Sequence, residues 1–272
     1  MGNNKNILVC GNGPSCGEID FKRVPKDSKV MRMTTFYFEE KYYAGTRVDY
    51  YVDYARRLVD QYFNIRVVRD KGEYDIDMEN TWWTVLREPN PHFPAIKSCT
   101  EFIQRVPLIA EFRCFYEYYY GKYLPTGMQA IALAVCLGFE NVHLAGFDLF
   151  SDPHNLHVYP ENKGVKERVR AIQKTSVYDT DAPDFQSPDD ILAHVQKTNP
   201  ISMQMDFLKL LAELYPETKI LSVCNSSAIN EYIAMAAEIC DKPWYNPQNK
   251  LEDRTKEWHP LPDTMPSRQN KE

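Results

Sequence analysis

Short apolar runs that end at glycine or polar residues alternate along this chain with longer segments of helical spacing. Asn6–Cys10 (NILVC) is one such run, closed by Gly11-Asn12-Gly13-Pro14-Ser15. An apolar run of that length before a glycine turn predicts a buried strand of a parallel sheet. Lys29–Met33 and residues 48–52 are predicted strands as well. Residues 36–43 are aromatic and charged and fit strand or helix equally. Over residues 108–122, Ile109, Phe112, Tyr116 and Tyr120 fall near one helical face. Residues 126–137 predict a stronger helix, with Thr126 as cap, an almost wholly apolar body and Gly138 as stop. A helix apolar on most faces is a buried one. Asn141–Ala145 (NVHLA) reads as a central strand ending in Gly146-Phe147-Asp148. An amphipathic helix is expected over residues 201–215 and a strand over 219–223, after which residues 225–227 cap a helix reaching about residue 238.

Strands alternating with helices predict an α/β fold with a doubly wound, mainly parallel sheet. Residues 1–150 and 199–240 supply that sheet domain. Between them, residues 151–198 hold Pro153, Pro160, Pro183 and Pro188, many charges and one helical stretch at 165–173. A long polar insertion after a sheet strand predicts a small lid subdomain over the site. Residues 241–272 are polar and proline-rich and read as a C-terminal arm or tail. Ligands of doubly wound sheets bind beyond the C-terminal strand ends. The segments that matter are therefore residues 11–15, 146–148 and 224–227.

Composition narrows the function classes. The formal net charge of −6 argues against a nucleic-acid binder. The N-terminal residues show no signal-peptide pattern, no stretch approaches the ~20 apolar residues of a membrane span, and position 6 is Asn where myristoylation needs Ser or Thr. The seven cysteines are odd in number and without CxxC spacing. They read as reduced, mostly buried thiols of a cytoplasmic protein.

Gly11-Asn12-Gly13 begins like a dinucleotide fingerprint, but Cys16 stands at its third glycine and the second strand runs into Thr34-Thr35 where an acid is needed. NAD is thereby disfavoured. A tight turn whose backbone N–H groups approach an anion remains, beside the plainer reading of a structural turn. The six histidines form no zinc-binding pattern: His143 reads as structural, His154 and His157 as loop residues, and His194 as lying at the far edge of the lid just before a helix. Asp75-Ile76-Asp77 and Asp179-Thr180-Asp181 match the Asp-x-Asp pattern of metal-dependent sugar-nucleotide enzymes, yet both lie in charged, loop-like sequence. No metal site is expected at either.

Taken together, these segments resemble glycosyltransferase family 42, the Cst-type bacterial sialyltransferases of lipooligosaccharide synthesis. The resemblance rests on Ile7 through Ser15, on Phe36-Tyr37-Phe38-Glu39-Glu40-Lys41-Tyr42-Tyr43, on Thr126-Gly127, on Leu144-Ala145-Gly146-Phe147-Asp148, and on Cys224-Asn225-Ser226-Ser227. It implies a Rossmann-like, GT-A-like nucleotide domain with a lid, and inverting, metal-independent transfer from CMP-sialic acid with no other cofactor. The implied acceptor is a terminal galactose or sialic acid of a surface glycan such as lipooligosaccharide. Family members are also tetramers that work at the inner membrane face.

By the same resemblance the donor lies against Gly11, Asn12, Gly13 and Ser15, with Thr34, Thr35 and Tyr54 beside it. Lys122, Thr126 and Gly127 complete the phosphate side, and Gly146, Phe147 and Asp148 face the cytidine and ribose. His194 is the implied general base, and Tyr159 is the implied hydroxyl on the departing phosphate. The chain departs from the family pattern at Thr34-Thr35 (Asn-Gln), Tyr54 (Asn), Tyr123 (Arg) and Phe150 (Tyr). Two alternatives stay open: transfer of another CMP-linked nonulosonic acid, and a non-catalytic nucleotide-sugar binder.

Overall fold

A computed structural model describes residues 5–54, 58–84, 96–152, 157–158 and 188–250. Its frame is a seven-stranded sheet. In chain order the strands are β1 (Asn6–Cys10), β2 (Lys29–Met33), β4 (Tyr50–Asp53), β6 (Thr81–Trp83), β7 (Lys97–Ser98), β8 (Asn141–Ala145) and β9 (Lys219–Ser222). They lie in the order β7-β6-β4-β2-β1-β8-β9. All neighbouring pairs are parallel. Successive strands step outward from β1 through β2, and the order reverses between β1 and β8. That reversal opens a crevice at the C-terminal strand ends.

Alternation along β1 explains the two layers. Ile7 and Val9 enter one core with Met31, Met33, Val142 and Leu144. Leu8 and Cys10 enter the other with Ala145 and Val223. With both faces covered, the strands carry apolar residues on both sides. Helix α4 (Thr126–Cys136) fills the first layer, and every residue from Met128 to Val135 is buried. The other helices are α1 (Leu58–Asp70), α2 (Cys99–Ile103), α3 (Pro107–Cys114), α5 (Pro188–Thr198) and α6 (Ile201–Leu214).

Four expectations need correction and two lie outside the described residues. The strand over 48–52 splits at Asp49. Arg47–Val48 (β3) pairs with Asp75–Ile76 (β5) in a separate two-stranded ladder. Asp49 marks the break because its carboxylate accepts from Val30 N at 2.8 Å and from Lys29 Nζ at 2.9 Å. The helix over 108–122 stops at Cys114 and widens into a π turn, Phe115–Tyr119. Thr126 is the first residue of α4, and the cap position belongs to Pro125. Beyond residue 227 only a 3-10 turn forms, Ala228–Glu231. The chain then runs beside β9, with Ser222 N donating to Ala234 O and Ala236 N to Ser222 O, both at 2.9 Å. Sheet-edge pairing there overrides helical propensity. The helix expected over 165–173 and the Asp179/Asp181 pair lie outside the described residues. Residues 36–43, left open between strand and helix, hold a 3-10 turn at Phe36–Phe38. The tail packs down as far as residue 250: Trp244 and Tyr245 meet the Phe21 ring edge-on at 5.0 and 4.9 Å.

His143 is structural, as its place in a strand suggests. It is buried on β8, and burial pulls its pKa down to about 4 while a hydrogen bond to the Ile7 backbone opposes the shift. The folded state thus binds fewer protons than the unfolded chain between about pH 4 and pH 6.5, so stability rises with pH through that window. Chemical denaturation should show roughly 2 kcal/mol of stability lost from this group between pH 7 and pH 5. In His143→Gln that component of the pH dependence should disappear.

Candidate active site

A cavity of about 980 Å³ opens at the reversal of strand order. Its floor is a meeting of two loops. Gly11 N donates to Ala145 O at 2.8 Å and Gly13 N to Gly146 O at 3.0 Å. No side chain fits between them: a Cβ on Gly11 would sit 2.3 Å from Gly146 O, and one on Gly146 would sit 2.6 Å from Gly11 O. Gly146 also has φ +70°, a conformation that glycine adopts without steric penalty. Downstream of it, Leu149 and Phe150 have φ of +53° and +55°, and Thr34 across the cavity has +47°. These are the non-glycine residues with positive φ among those described, and all three line the cavity. Backbone strain of this kind gathers at functional sites.

One wall is tied together through polar groups. Asn12 Nδ2 donates to Thr34 Oγ1 at 2.7 Å and lies 3.2 Å from Met33 O. The Tyr51 hydroxyl is within hydrogen-bonding distance of Thr34 O (3.0 Å) and Asp53 Oδ2 (2.9 Å). Tyr54 N donates to Asp53 Oδ1 at 2.6 Å. Asn12 Oδ1 is buried with no hydrogen-bond partner among the described residues. Such an acceptor on a cavity-lining residue can take a hydrogen bond from a ligand. Behind this wall, Arg32 and Glu39 form a fully buried ion pair at 2.6 Å, joined by the Tyr74 hydroxyl at 2.8 Å. Burial pulls the Arg32 pKa down, Glu39 pushes it up, and the net shift is upward, so the guanidinium stays charged.

The opposite wall is clamped at the junction of α5 and α6. Tyr123 N donates to Thr198 O at 3.0 Å, Asn199 Nδ2 donates to Tyr123 O, and Lys122 Nζ donates to Lys197 O. His194 lies within α5, exposed and lining the cavity, where the sequence had suggested a place just before a helix. The Thr198 hydroxyl holds its backbone carbonyl at 2.8 Å. His157 lines the same cavity.

Of the residues singled out from the sequence, Gly11, Asn12, Gly13, Thr34, Tyr54, Thr126, Gly127, Gly146, Phe147, Asp148 and His194 converge on this cavity. Ser15 and Thr35 are buried beside it, and Lys122 points to the Lys197 carbonyl. Tyr159 lies outside the described residues. The expected anion cradle at residues 11–15 needs revision. The N–H groups of Gly11, Gly13 and Ser15 are all taken by the protein, that of Ser15 by Asp148 Oδ2 at 2.9 Å. Pro14 has no N–H, so the turn braces the site and leaves the Asn12 N–H for an anion. Asp77 of the first Asp-x-Asp match caps a 3-10 turn through Glu79 N. Among the described residues no three His, Cys, Asp or Glu side chains group as a metal site.

Sequence reading missed the polar wall of Thr100, Glu101, Gln104, Arg113 and Glu117, which also lines the cavity. These residues lie in α2, α3 and the π turn, where nothing but a three-dimensional contact distinguishes them from surface charges. Ser98 caps α2 by accepting from Glu101 N at 3.1 Å, and that Ser-x-x-Glu pattern was the one local signal available.

A family model described as alpha-2,3-sialyltransferase (CST-I) matches residues 5–242. No curated protein sequence matches the chain. Among solved structures, the monofunctional alpha-2,3-sialyltransferase Cst-I from Campylobacter jejuni is 22% identical with a TM-score of 0.77, covering 98% of this chain and 91% of that one. The sialyltransferase CstII from Campylobacter jejuni, in complex with cytidine-5'-monophosphate, is 20% identical with a TM-score of 0.73, over 93% and 92% of the two chains. CST-II in complex with a trisaccharide acceptor and CMP is 21% identical with a TM-score of 0.71, over 91% and 92%.

Gly13→Ala tests the brace. Its added Cβ would stand 2.3 Å from Asp148 Oδ2 and 2.8 Å from Gly146 O. The loops must part and the Ser15–Asp148 bond must break. Urea denaturation should show a loss of about 2–3 kcal/mol. A variant as stable as the parent contradicts this account of the floor.

Proposed function

Because the chain belongs to the alpha-2,3-sialyltransferase (CST-I) family, we propose that it moves sialic acid from CMP-sialic acid to a terminal sugar of a surface glycan, with inversion and without a metal. The observation that carries this reading is the convergence of the motif residues on one cavity at the reversal of strand order, with His194 on its rim. Support for the donor comes from similar folds whose structures hold CMP. The nucleotide is assigned to the loops after β1, β2 and β8, where Asn12 Oδ1 awaits a hydrogen-bond donor and the Phe147 ring borders the cavity.

In this reading an acceptor hydroxyl oxygen attacks the anomeric carbon of the donor. The bond from that carbon to the phosphate oxygen breaks, and CMP leaves with the electron pair. His194 takes the hydroxyl proton as the new glycosidic bond forms. The Tyr159 hydroxyl supports the leaving phosphate by family resemblance. Lys122 is assigned no part, since its ammonium serves the Lys197 carbonyl. Residues 151–198 act as a lid that keeps water from the donor. Metal independence rests on the resemblance and on Asp77 being engaged as a cap. No described helix is long and apolar enough to cross a membrane. We place the protein in the cytoplasm, where it meets its nucleotide donor, with peripheral membrane association and a homo-oligomer as the family resemblance implies.

The experiment pairs binding with turnover. CMP at 100 times its Kd should stabilise the protein by about 2.7 kcal/mol, seen as a raised Tm, while UDP-sugars do nothing. His194→Ala should keep the CMP shift and lose ~10²–10⁴-fold in kcat. Turnover within a few-fold of the parent moves the base to His157. Transfer should also survive EDTA, and rescue by Mn²⁺ after loss in EDTA would contradict the metal-free mechanism. Binding of CMP with no donor hydrolysis or transfer would mark a nucleotide-sugar binder.

A further inference from the structure

One wall of the cavity has no part in the reaction just described. Arg113 is 5% exposed, yet its guanidinium borders the cavity. Glu117 accepts from its Nε at 2.9 Å and its Nη2 at 2.7 Å. Its Nη1 is buried with no hydrogen-bond partner among the described residues. A buried donor left without an acceptor is destabilising, and one on a residue that lines a cavity is open to an acceptor from a ligand. The pair also spans the point where α3 gives way to the π turn at Phe115. Single π turns of this kind occur often at functional sites. Glu101, from α2, and Gln104, just after it, line the same cavity. α2 follows β7 at the edge of the sheet, away from the β1/β8 crevice assigned to the nucleotide.

Charge decides which ligand fits. One guanidinium faces two carboxylates, so the wall is formally negative by one charge. A ligand carboxylate placed there meets repulsion from the excess carboxylate. A neutral, hydroxyl-bearing sugar meets complementary groups: its hydroxyls donate to Glu101 and Glu117 and accept from Arg113 Nη1 and the Gln104 amide. We propose that Glu101, Gln104, Arg113 and Glu117 form an acceptor subsite that selects a neutral terminal sugar over one ending in sialic acid. This rests on the sialyl-transfer reading above.

The test measures transfer from CMP-sialic acid to lactose and to sialyllactose, with donor hydrolysis and the CMP-induced Tm shift read on the same samples. The parent protein should prefer lactose. Glu117→Gln should raise KM for lactose about tenfold while donor hydrolysis is unchanged, since the donor half is intact. Glu101→Gln combined with Glu117→Gln should narrow the lactose preference by at least as much. Arg113→Gln, should it fold, should behave as Glu117→Gln does. The inference fails alone if the parent transfers but prefers sialyllactose, or if the folded, CMP-binding glutamate variants keep the parent's KM within twofold and its preference. A parent that binds CMP and transfers to neither acceptor overturns the sialyl-transfer reading and this inference together.

Discussion

Gly11 and Gly146 meet backbone to backbone where the strand order reverses, and the rest of the site is arranged around that contact. Two main-chain hydrogen bonds join the loops, and the space between them excludes even a methyl group. The close approach brings Asp148 over the Ser15 N–H at 2.9 Å and seats Phe147 against Gly127, where a Cβ would come within 2.9 Å of the ring. The loops leaving β1 and β8 and the start of α4 thus share one rigid junction. The cavity lies over it because a doubly wound sheet parts its connections there.

Rigidity on the neighbouring wall comes from buried polar groups. Asp53 is fully buried, and its two oxygens are used by Tyr51 and Tyr54. Through Tyr51 the network reaches Thr34, and through Thr34 it reaches Asn12. Removing one member would leave a buried group unmade, so the network holds Asn12 in one orientation. The Arg32–Glu39 pair lies behind it, between β2 and the aromatic turn Phe36–Phe38, with the guanidinium 4.8 Å from the Phe36 ring centre. Breaking a buried pair is far more damaging than its net contribution to stability suggests. Part of the aromatic motif thus anchors a buried charge below the site.

The cavity also divides by chemistry. Its central end is made of backbone, glycine and neutral polar groups, with the Asp148 carboxylate engaged by Ser15 N. Elsewhere it carries the Arg113–Glu117 pair at 2.7 Å, and Glu101 lines it as well. Between the two, the hydrogen bonds from residues 122–123 to residues 197–199 fix α5 beside the start of α4. A donor with a nucleotide and an acceptor built of hydroxyls make different demands on a wall, and these two parts differ in the corresponding way.

Local pattern was enough to expose the sheet. The runs at Asn6–Cys10, Lys29–Met33 and Asn141–Ala145 are buried strands, and residues 126–137 contain the buried helix, because apolar length and glycine stops are properties of short segments. The glycines at 11, 13 and 146 were legible for the same reason: a turn with no room for a side chain leaves its mark at single positions. Tertiary structure alone decided the rest. It widened the helix into a π turn after Cys114, and it turned residues 234–236 toward β9, since sheet-edge pairing there outweighs local propensity. It spent the N–H groups of Gly11, Gly13 and Ser15 on the neighbouring loop and Asp148, and it gave the Lys122 ammonium to Lys197. It also brought Arg113 and Glu117 to the cavity from a helix whose charges look like ordinary surface. The reason is physical: which strand or turn a residue occupies follows from its near neighbours in sequence, while the partner of a charge or a backbone donor is set by segments a hundred residues away.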